Sequence, residues 1–270
     1  MSKTSAPPRV PSGFTLIELL VVISIIALLI GILLPALGAA RATARQIACA
    51  SGIRQITLAT MMYTDDNEGH FPAGTAPGGG TFAISYDDLI ADYDGRGSLG
   101  QTLRNRQFLR VSERDSSFYK CPSDDSEPAF AFGTPPSPVQ IRSYSITLGA
   151  PNPNPANAYP VGISGNGWST RLAEVKSATT TIGLAENRTR TAAGDAQNHV
   201  GNFLDSNVPP FAHHQFPERL EQHDGKGNYS YLDGHVSIAK FEDTLNGAAP
   251  GGGYGGTQWD FRQLPRTSSP

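Results

Sequence analysis

The sequence predicts an α+β fold, with one long N-terminal helix followed by an antiparallel β-sheet with long loops. Three observations carry this. Between Thr15 and Leu34 every residue except Thr15, Glu18, Ser24 and Gly31 is aliphatic or alanine. Beyond that run, Cys49, Ile53, Ile56, Thr60 and Tyr63 recur at alternating spacings of four and three, the period of one helical face. Across the whole chain, 29 glycines and 21 prolines argue against a helical bundle, and beyond the helix short β-branched stretches sit between turn signals.

The apolar run comes first. Its length in helical form is about 30 Å, the thickness of a bilayer's hydrocarbon core. A core helix is rarely apolar on every side, so the run reads as a membrane span. Residues 1–13 are polar, carry Lys3 and Arg9 and contain three prolines, so they do not continue the helix. A secretory signal peptide, whose apolar stretch is usually about 7–15 residues, is the alternative. The small residues Gly38-Ala39-Ala40 keep it open. Glu18 is the odd residue. A carboxylate within a membrane helix is costly and calls for a partner, and no basic side chain lies within a turn or two of it. A partner from elsewhere is therefore expected. Pro35 removes one backbone hydrogen bond, so a kink or local melting is expected near Ile32–Pro35. Basic residues flank the span on both sides, with Arg41, Arg45 and Arg54 after it, so charge alone does not orient it.

The helix is expected from Thr15 to Thr64, ending at Asp65-Asp66-Asn67-Glu68-Gly69. That acidic run lacks the spacing of a calcium hand and reads as a solvated helix end. A Gly-rich loop, Ala73–Thr81, a short helix near Tyr86–Asp92 and a basic stretch, Arg104–Arg110, follow. The basic stretch reads as a solvated face. Strands are expected at Ile141–Leu148 and Thr179–Ala185, the second leading into Glu186, with an irregular loop Pro151–Pro160 between them. The clearest element is a hairpin of Asn228–Leu232 and His235–Ala239. Its two-residue Asp233-Gly234 loop predicts a type I′ turn, with Gly234 at positive φ. The resulting organisation is a leader (1–13), a membrane half of the helix (14–35), an amphipathic half (36–66), a globular part (67–247) and a Gly-rich tail (248–270), with residues 256–270 expected to be loosely attached.

Charge and chemistry narrow the function. The net charge of −3 gives no basic footprint, so nucleic acid is not an expected partner. The two cysteines, Cys49 and Cys121, can pair in an exported protein. Two buried thiols or a metal site are the alternatives. Five of the six histidines fall late: His199, His213, His214, His223 and His235, with Asp205, Asp224 and Asp233 nearby. No two form a recognised ligand pair, such as histidines four apart on a helix beside a Glu. A phosphate-binding glycine loop and a nucleophile elbow are also missing from the sequence. The expectation is therefore no enzyme and no cofactor. His223 is expected to hydrogen-bond to a neighbouring loop, and Asp233 to serve the turn.

Two resemblances sharpen this reading. Gly13-Phe14-Thr15-Leu16-Ile17-Glu18, followed by an apolar helix, resembles the processing site of type IV prepilins and type II secretion pseudopilins. The resemblance implies cleavage after Gly13 by a membrane-embedded prepilin peptidase and methylation of the Phe14 amine. It further implies that the Glu18 carboxylate pairs with the Phe14 amine of a neighbouring subunit in a filament. Pro35 falls where pilins often carry a helix-kinking proline. The leader would lie in the cytoplasm, the helix in the inner membrane and the remainder outside. Calcium, used by some major pseudopilins near their C-terminal strands, makes Asp224 and Asp233 weak ligand candidates.

The second resemblance begins at His223, which is followed by nine residues and then Asp233-Gly234. This is similar to a C-terminal processing-associated motif of a large prepilin-like family abundant in planctomycetes. Further blocks fit that family: Cys49 followed by Ile53-Arg54-Gln55-Ile56 and Tyr63, then Phe71-Pro72, Cys121-Pro122-Ser123-Asp124 and Glu186. The family's usual Asn-Asn after the first cysteine is Ala50-Ser51 here. The implied function is that of a structural subunit, assembling with other pilin or pseudopilin subunits through the N-terminal helix. A non-polymerising anchored binding module and an anchored metal-dependent enzyme are the alternatives.

Overall fold

A computed structural model of the chain describes residues 15–76, 84–98, 100, 117–125, 141–147, 162–165, 168–187, 207–208, 223–247 and 257–261. The leader with Gly13 and Phe14, Arg104–Arg110, Pro151–Pro160 and the first three late histidines lie outside the described residues. Helix α1 (Leu16–Asp66) runs for 51 residues. It passes Pro35 without a break, so the local melting expected there is absent. A proline removes one bond, and the bonds of neighbouring residues keep the turn. Two compact units divide the chain, Met1–Ala44 and Arg45–Pro270.

Within the second unit, α1 buries Cys49, Gly52, Ile53, Ile56, Ala59 and Thr60, the face that its spacing predicts. The helix stops where Glu68 and Gly69 adopt positive φ and the Gly69 amide donates back to the Thr64 carbonyl at 2.9 Å. The remaining elements are β1 (Thr75–Ala76), β2 (Ile84–Ser85), α2 (Tyr86–Leu89), β3 (Tyr144–Thr147), β4 (Ser164–Gly165), β5 (Trp168–Ser169), β6 (Ile182–Glu186), β7 (Asn207–Val208), β8 (Gly227–Tyr231) and β9 (Val236–Ala239). The main sheet has the order β7-β3-β6-β8-β9. It is antiparallel except at the edge pair β3–β7, which is parallel.

The hairpin differs from its expected form. Pairing runs from Ser230↔Val236 to Gly227↔Ala239, one register step from the expected Leu232↔His235 pairing. Gly234 N–H donates to the Tyr231 carbonyl and Tyr231 N–H to the His235 carbonyl, both at 2.9 Å. Gly234 has φ +90° and Asp233 does not have positive φ. The loop is therefore three residues, Leu232-Asp233-Gly234, with the glycine in the left-handed position, and not a type I′ turn. The shift spares Asp233 a strained φ and lets the Leu232 side chain enter the core, where it is 2% exposed.

The sheet is covered on both faces, which explains why β3, β6 and β8 are buried at every position. Cys49, Ile53, Ile56 and Ala59 of α1 join Tyr144, Ile146, Leu184 and Leu232 in one core. Thr57 and Ser230 share a hydrogen bond between their hydroxyls on that side. Ile182, Ala185, Tyr229, Tyr231, Phe241, Leu245 and Trp259 form the other core. The expectation of a loose tail is thus corrected for residues 257–261. The Gln258 carbonyl accepts from Ile182 N–H at 2.7 Å, and Trp259 Nε1 donates to Thr244 Oγ1 at 2.9 Å. The Trp259 indole, three residues from a glycine run, supplies apolar cover that β6 and β8 need on their second face, while Phe261 joins the helix-side core. Trp259→Ala is expected to cost about 3 kcal/mol or more in urea unfolding, whereas a loose tail would cost nothing.

Two further features make predictions. A Cβ at Gly52 would meet the Phe118 carbonyl oxygen at 2.9 Å and Tyr144 Oη at 3.2 Å. Alanine gains about 1 kcal/mol in helix propensity, but overpacking against backbone costs about 1–3 kcal/mol. Gly52→Ala should therefore lower the unfolding midpoint, against its propensity. At the start of α2, Asp88 Oδ2 accepts from the Ser85 amide at 3.0 Å and the Ser85 hydroxyl at 2.9 Å. Nearby, Asp87 is bound to Arg142, and Arg96 reaches Asp94 at 2.6 Å. Burial, then the Asp87 charge, pushes the Asp88 carboxyl up to about 7, against the Ser85 bonds and Arg96. A raised carboxyl pKa means that the folded chain binds more protons than the unfolded chain between the two values. Its contribution is present below about pH 4 and is lost as pH rises to about 7, with a slope of at most about 1.4 kcal/mol per pH unit. Asp88→Asn keeps an acceptor for Ser85, so it should flatten this part of the stability profile in urea titrations at pH 5 and pH 8.

Candidate functional site

The first unit presents one chemical surface. Every large apolar residue from Leu16 to Leu34, together with Leu37, is exposed along the helix. A surface of this kind does not stay in water, since it lacks any packed partner. It is the one helix among the described residues long and apolar enough to cross a membrane. Glu18 sits at its head. Thr15 N–H and Oγ1 donate to Glu18 Oε2 at 2.9 and 2.8 Å, and Glu18 N–H donates to Thr15 Oγ1 at 3.2 Å. This is a reciprocal capping box, which satisfies donors that a helix start otherwise leaves open. Glu18 thus has a local, uncharged hydrogen-bond partner in Thr15, beside the charged partner expected from elsewhere. A Thr three residues before a Glu at the head of an apolar run is the signal for the local partner.

The second unit gathers most of the remaining candidates. Cys49 and Cys121 form a disulfide with a Cα–Cα distance of 4.8 Å. The helix face turns Cys49 inward, and a short 3-10 turn at Ser117–Tyr119 delivers Cys121. His223 precedes β8, and Glu186 is the last residue of the adjacent strand β6. His223 Nε2 lies 3.0 Å from Glu186 Oε1 and 3.6 Å from Cys121 Sγ. Asn228 completes the carboxylate's surroundings. Its amide N–H donates to Oε2 and its Nδ2 to Oε1, both at 2.9 Å. All four residues of the disulfide and the His–Glu pair are buried. A carboxylate only accepts, so the His223 ring carries the hydrogen on Nε2. The family resemblance named Glu186, the histidine and the cysteines, but nothing in the sequence paired Glu186 with His223, because strand pairing brings the two together.

Asp233 and Gly234 take other places. Asp233 Oδ1 accepts from the His235 amide at 3.1 Å and lies 2.6 Å from His235 Nδ1. Burial opposes ionisation of Asp233, but the His235 hydrogen bonds outweigh it and hold the carboxyl below its usual value. The His235 ring stacks on Tyr231 with centroids 4.2 Å apart. The hairpin motif is thus a closed turn that sets the register of β8, the strand carrying Asn228. Asp224 lies before β8 and Asp233 after it. A five-residue strand keeps these two calcium candidates at opposite ends, so the structure does not join them in one site.

Residues 9–34 match the prokaryotic N-terminal methylation motif. Residues 38–207, more than half of the chain, match a family described as proteins of unknown function (DUF1559). The chain belongs to the DUF1559 family. No curated protein and no solved structure matches it. The methylation motif covers Gly13, Phe14 and Glu18, and makes this DUF1559 protein a type IV pilin-like precursor. The motif and the exposed apolar helix together mark a single-pass, membrane-anchored chain. Cys49, Cys121 and Glu186 fall within the DUF1559 match, whereas His223, Asp233 and Gly234 lie beyond it.

Proposed function

We propose that this DUF1559 protein is a structural subunit of a type IV pilus or a type II secretion-type filament. In this reading a prepilin peptidase cuts between Gly13 and Phe14 while the chain waits in the inner membrane. Subunits then associate through their N-terminal helices, and the globular part faces away from the cytoplasm. The observation that carries the reading is the exposed apolar helix, headed by Glu18 and covered by the methylation motif. In a membrane, lipid covers that helix. In a filament, the same surface packs on neighbouring helices. Glu18 Oε2 is engaged by Thr15, and the Oε1 atom has no hydrogen-bond partner among the described residues. That oxygen is the acceptor proposed for the Phe14 amine of a neighbouring subunit.

Mass spectrometry of the chain from its native membrane tests the processing step. A mature N-terminus at Phe14, with or without an added methyl group, is the expected result. An N-terminus at Met1 or Ser2 would leave an uncut anchor and sink the filament reading. One near Ala40 would mean a conventional signal peptide.

A further inference from the structure

We propose that the reduced chain holds one zinc-class cation on Cys49, Cys121, Glu186 and His223, and that oxidation to the disulfide expels it. The two sulfurs, the Glu186 carboxylate and the His223 ring offer one donor atom each, and these atoms lie within 4.8 Å of one another. They come from four places distant in sequence: helix α1, the turn after Tyr119, the end of β6 and the approach to β8. Structural reasons alone account for a disulfide. They do not account for a carboxylate and an imidazole converging on it. His223 Nε2 points at Glu186 Oε1 and at Cys121 Sγ together. In the oxidised chain a proton on Nε2 bridges the ring to the carboxylate. In the reduced chain a cation at the centre takes that place.

The donor set selects the metal. Two thiolates, an imidazole and a carboxylate suit zinc, whereas calcium and magnesium require oxygen ligands. On a tetrahedral zinc with bonds of about 2.3 Å, two thiolates lie roughly 3.8 Å apart, so the sulfurs need only separate from bonding contact by side-chain rotation. The surrounding hydrogen bonds fit this state. Ser123 N–H donates to Cys121 Sγ at 3.4 Å, an interaction stronger to a thiolate than to a disulfide sulfur. Asn228 holds the carboxylate through both of its donors, as an outer shell holds a metal ligand. The chemistry balances. Binding releases one proton from each thiol, and the His223 ring hydrogen passes from Nε2 to Nδ1 so that Nε2 has a lone pair for the cation. A disulfide oxidant such as glutathione disulfide then takes two electrons from the thiolates. The Cys49–Cys121 bond forms, the oxidant's own sulfur–sulfur bond breaks, its two halves leave as thiols with two protons from solvent, and the cation departs. This inference does not depend on filament assembly.

The full-length chain in detergent, reduced anaerobically with a phosphine and desalted, tests it. One zinc per chain is expected after reduction and none in the oxidised chain. Cobalt in place of zinc should show thiolate-to-metal charge-transfer absorption with tetrahedral d–d bands. His223→Ala and Glu186→Gln should each weaken binding by roughly tenfold or more. Glutathione disulfide should then release one zinc per disulfide formed, read with a chromogenic indicator. A reduced wild-type chain that takes up no zinc overturns the proposal, and so does zinc retained by the Cys49→Ser, Cys121→Ser double variant. The cobalt spectrum needs no variant, so it decides the matter even where a substitution fails to fold. If reduction alone unfolds the chain, added zinc should restore its near-ultraviolet circular dichroism, and failure to do so counts against the site.

Discussion

Glu18→Ala is expected to abolish filament formation while leaving the unfolding of the Arg45–Pro270 unit unchanged. Two effects of this substitution must be separated, because Glu18 both caps its own helix and, in the proposed assembly, meets a neighbour's amine. Loss of the cap costs about 1 kcal/mol at the helix start. Loss of a charge-assisted hydrogen bond costs about 1.5–3 kcal/mol, which is roughly 10- to 150-fold at each subunit contact. That factor recurs along a filament, so assembly should fall below detection. Glu18→Gln tells the two apart. Glutamine serves in a capping box as well as glutamate does, but it carries no charge for an amine. Both variants should be processed, remain in the membrane fraction and fail to appear in sheared filaments. Normal filaments from Glu18→Gln would show that Glu18 acts as a helix cap alone.

Removing the disulfide is expected to cost about 4 kcal/mol, since it closes a loop of 72 residues in the unfolded chain. For a unit of this size that corresponds to a fall in Tm of about 10 °C. The double variant Cys49→Ser, Cys121→Ser is the clean measurement, because it leaves no thiol to mispair. It should retain the His223–Glu186 hydrogen bond and the helix–sheet core. The expected signature is therefore a lower midpoint with preserved cooperativity. A loss below about 1 kcal/mol would mean that residual structure already restricts the unfolded chain as much as the cross-link does.

Elements defined by local chemistry are legible in the amino-acid sequence. The Cys49–Tyr63 face is visible because helical spacing is periodic, and the membrane half because a soluble helix is rarely apolar on every side. Features that depend on neighbours in space are not. Asp233-Gly234 marks the hairpin, yet its register differs by one residue from the pattern those two residues favour. Turn residues report a hairpin, but Leu232 enters the loop because a core position is open to it. The Thr15–Glu18 capping box is written in the sequence, but an acidic residue in an apolar run points equally to a distant partner. Only the side-chain geometry shows that the local bond is made. The segment after Gly247 reads as a loose tail because glycine runs carry no packing information. Its Trp259 is a core side chain.

By itself, the sequence determined the long N-terminal helix, its apolar half, the inward face of its second half, the leader motif and the positions of the two cysteines. Each of these follows from residues within a few turns of one another. Only the tertiary structure decided that Glu186 meets His223 beside the disulfide, that Asn228 holds that carboxylate, and that Trp259 packs on the second face of the sheet. The physical reason is that strand pairing and burial act between residues far apart in the chain. Which donors converge depends on register and packing, and no local pattern encodes either.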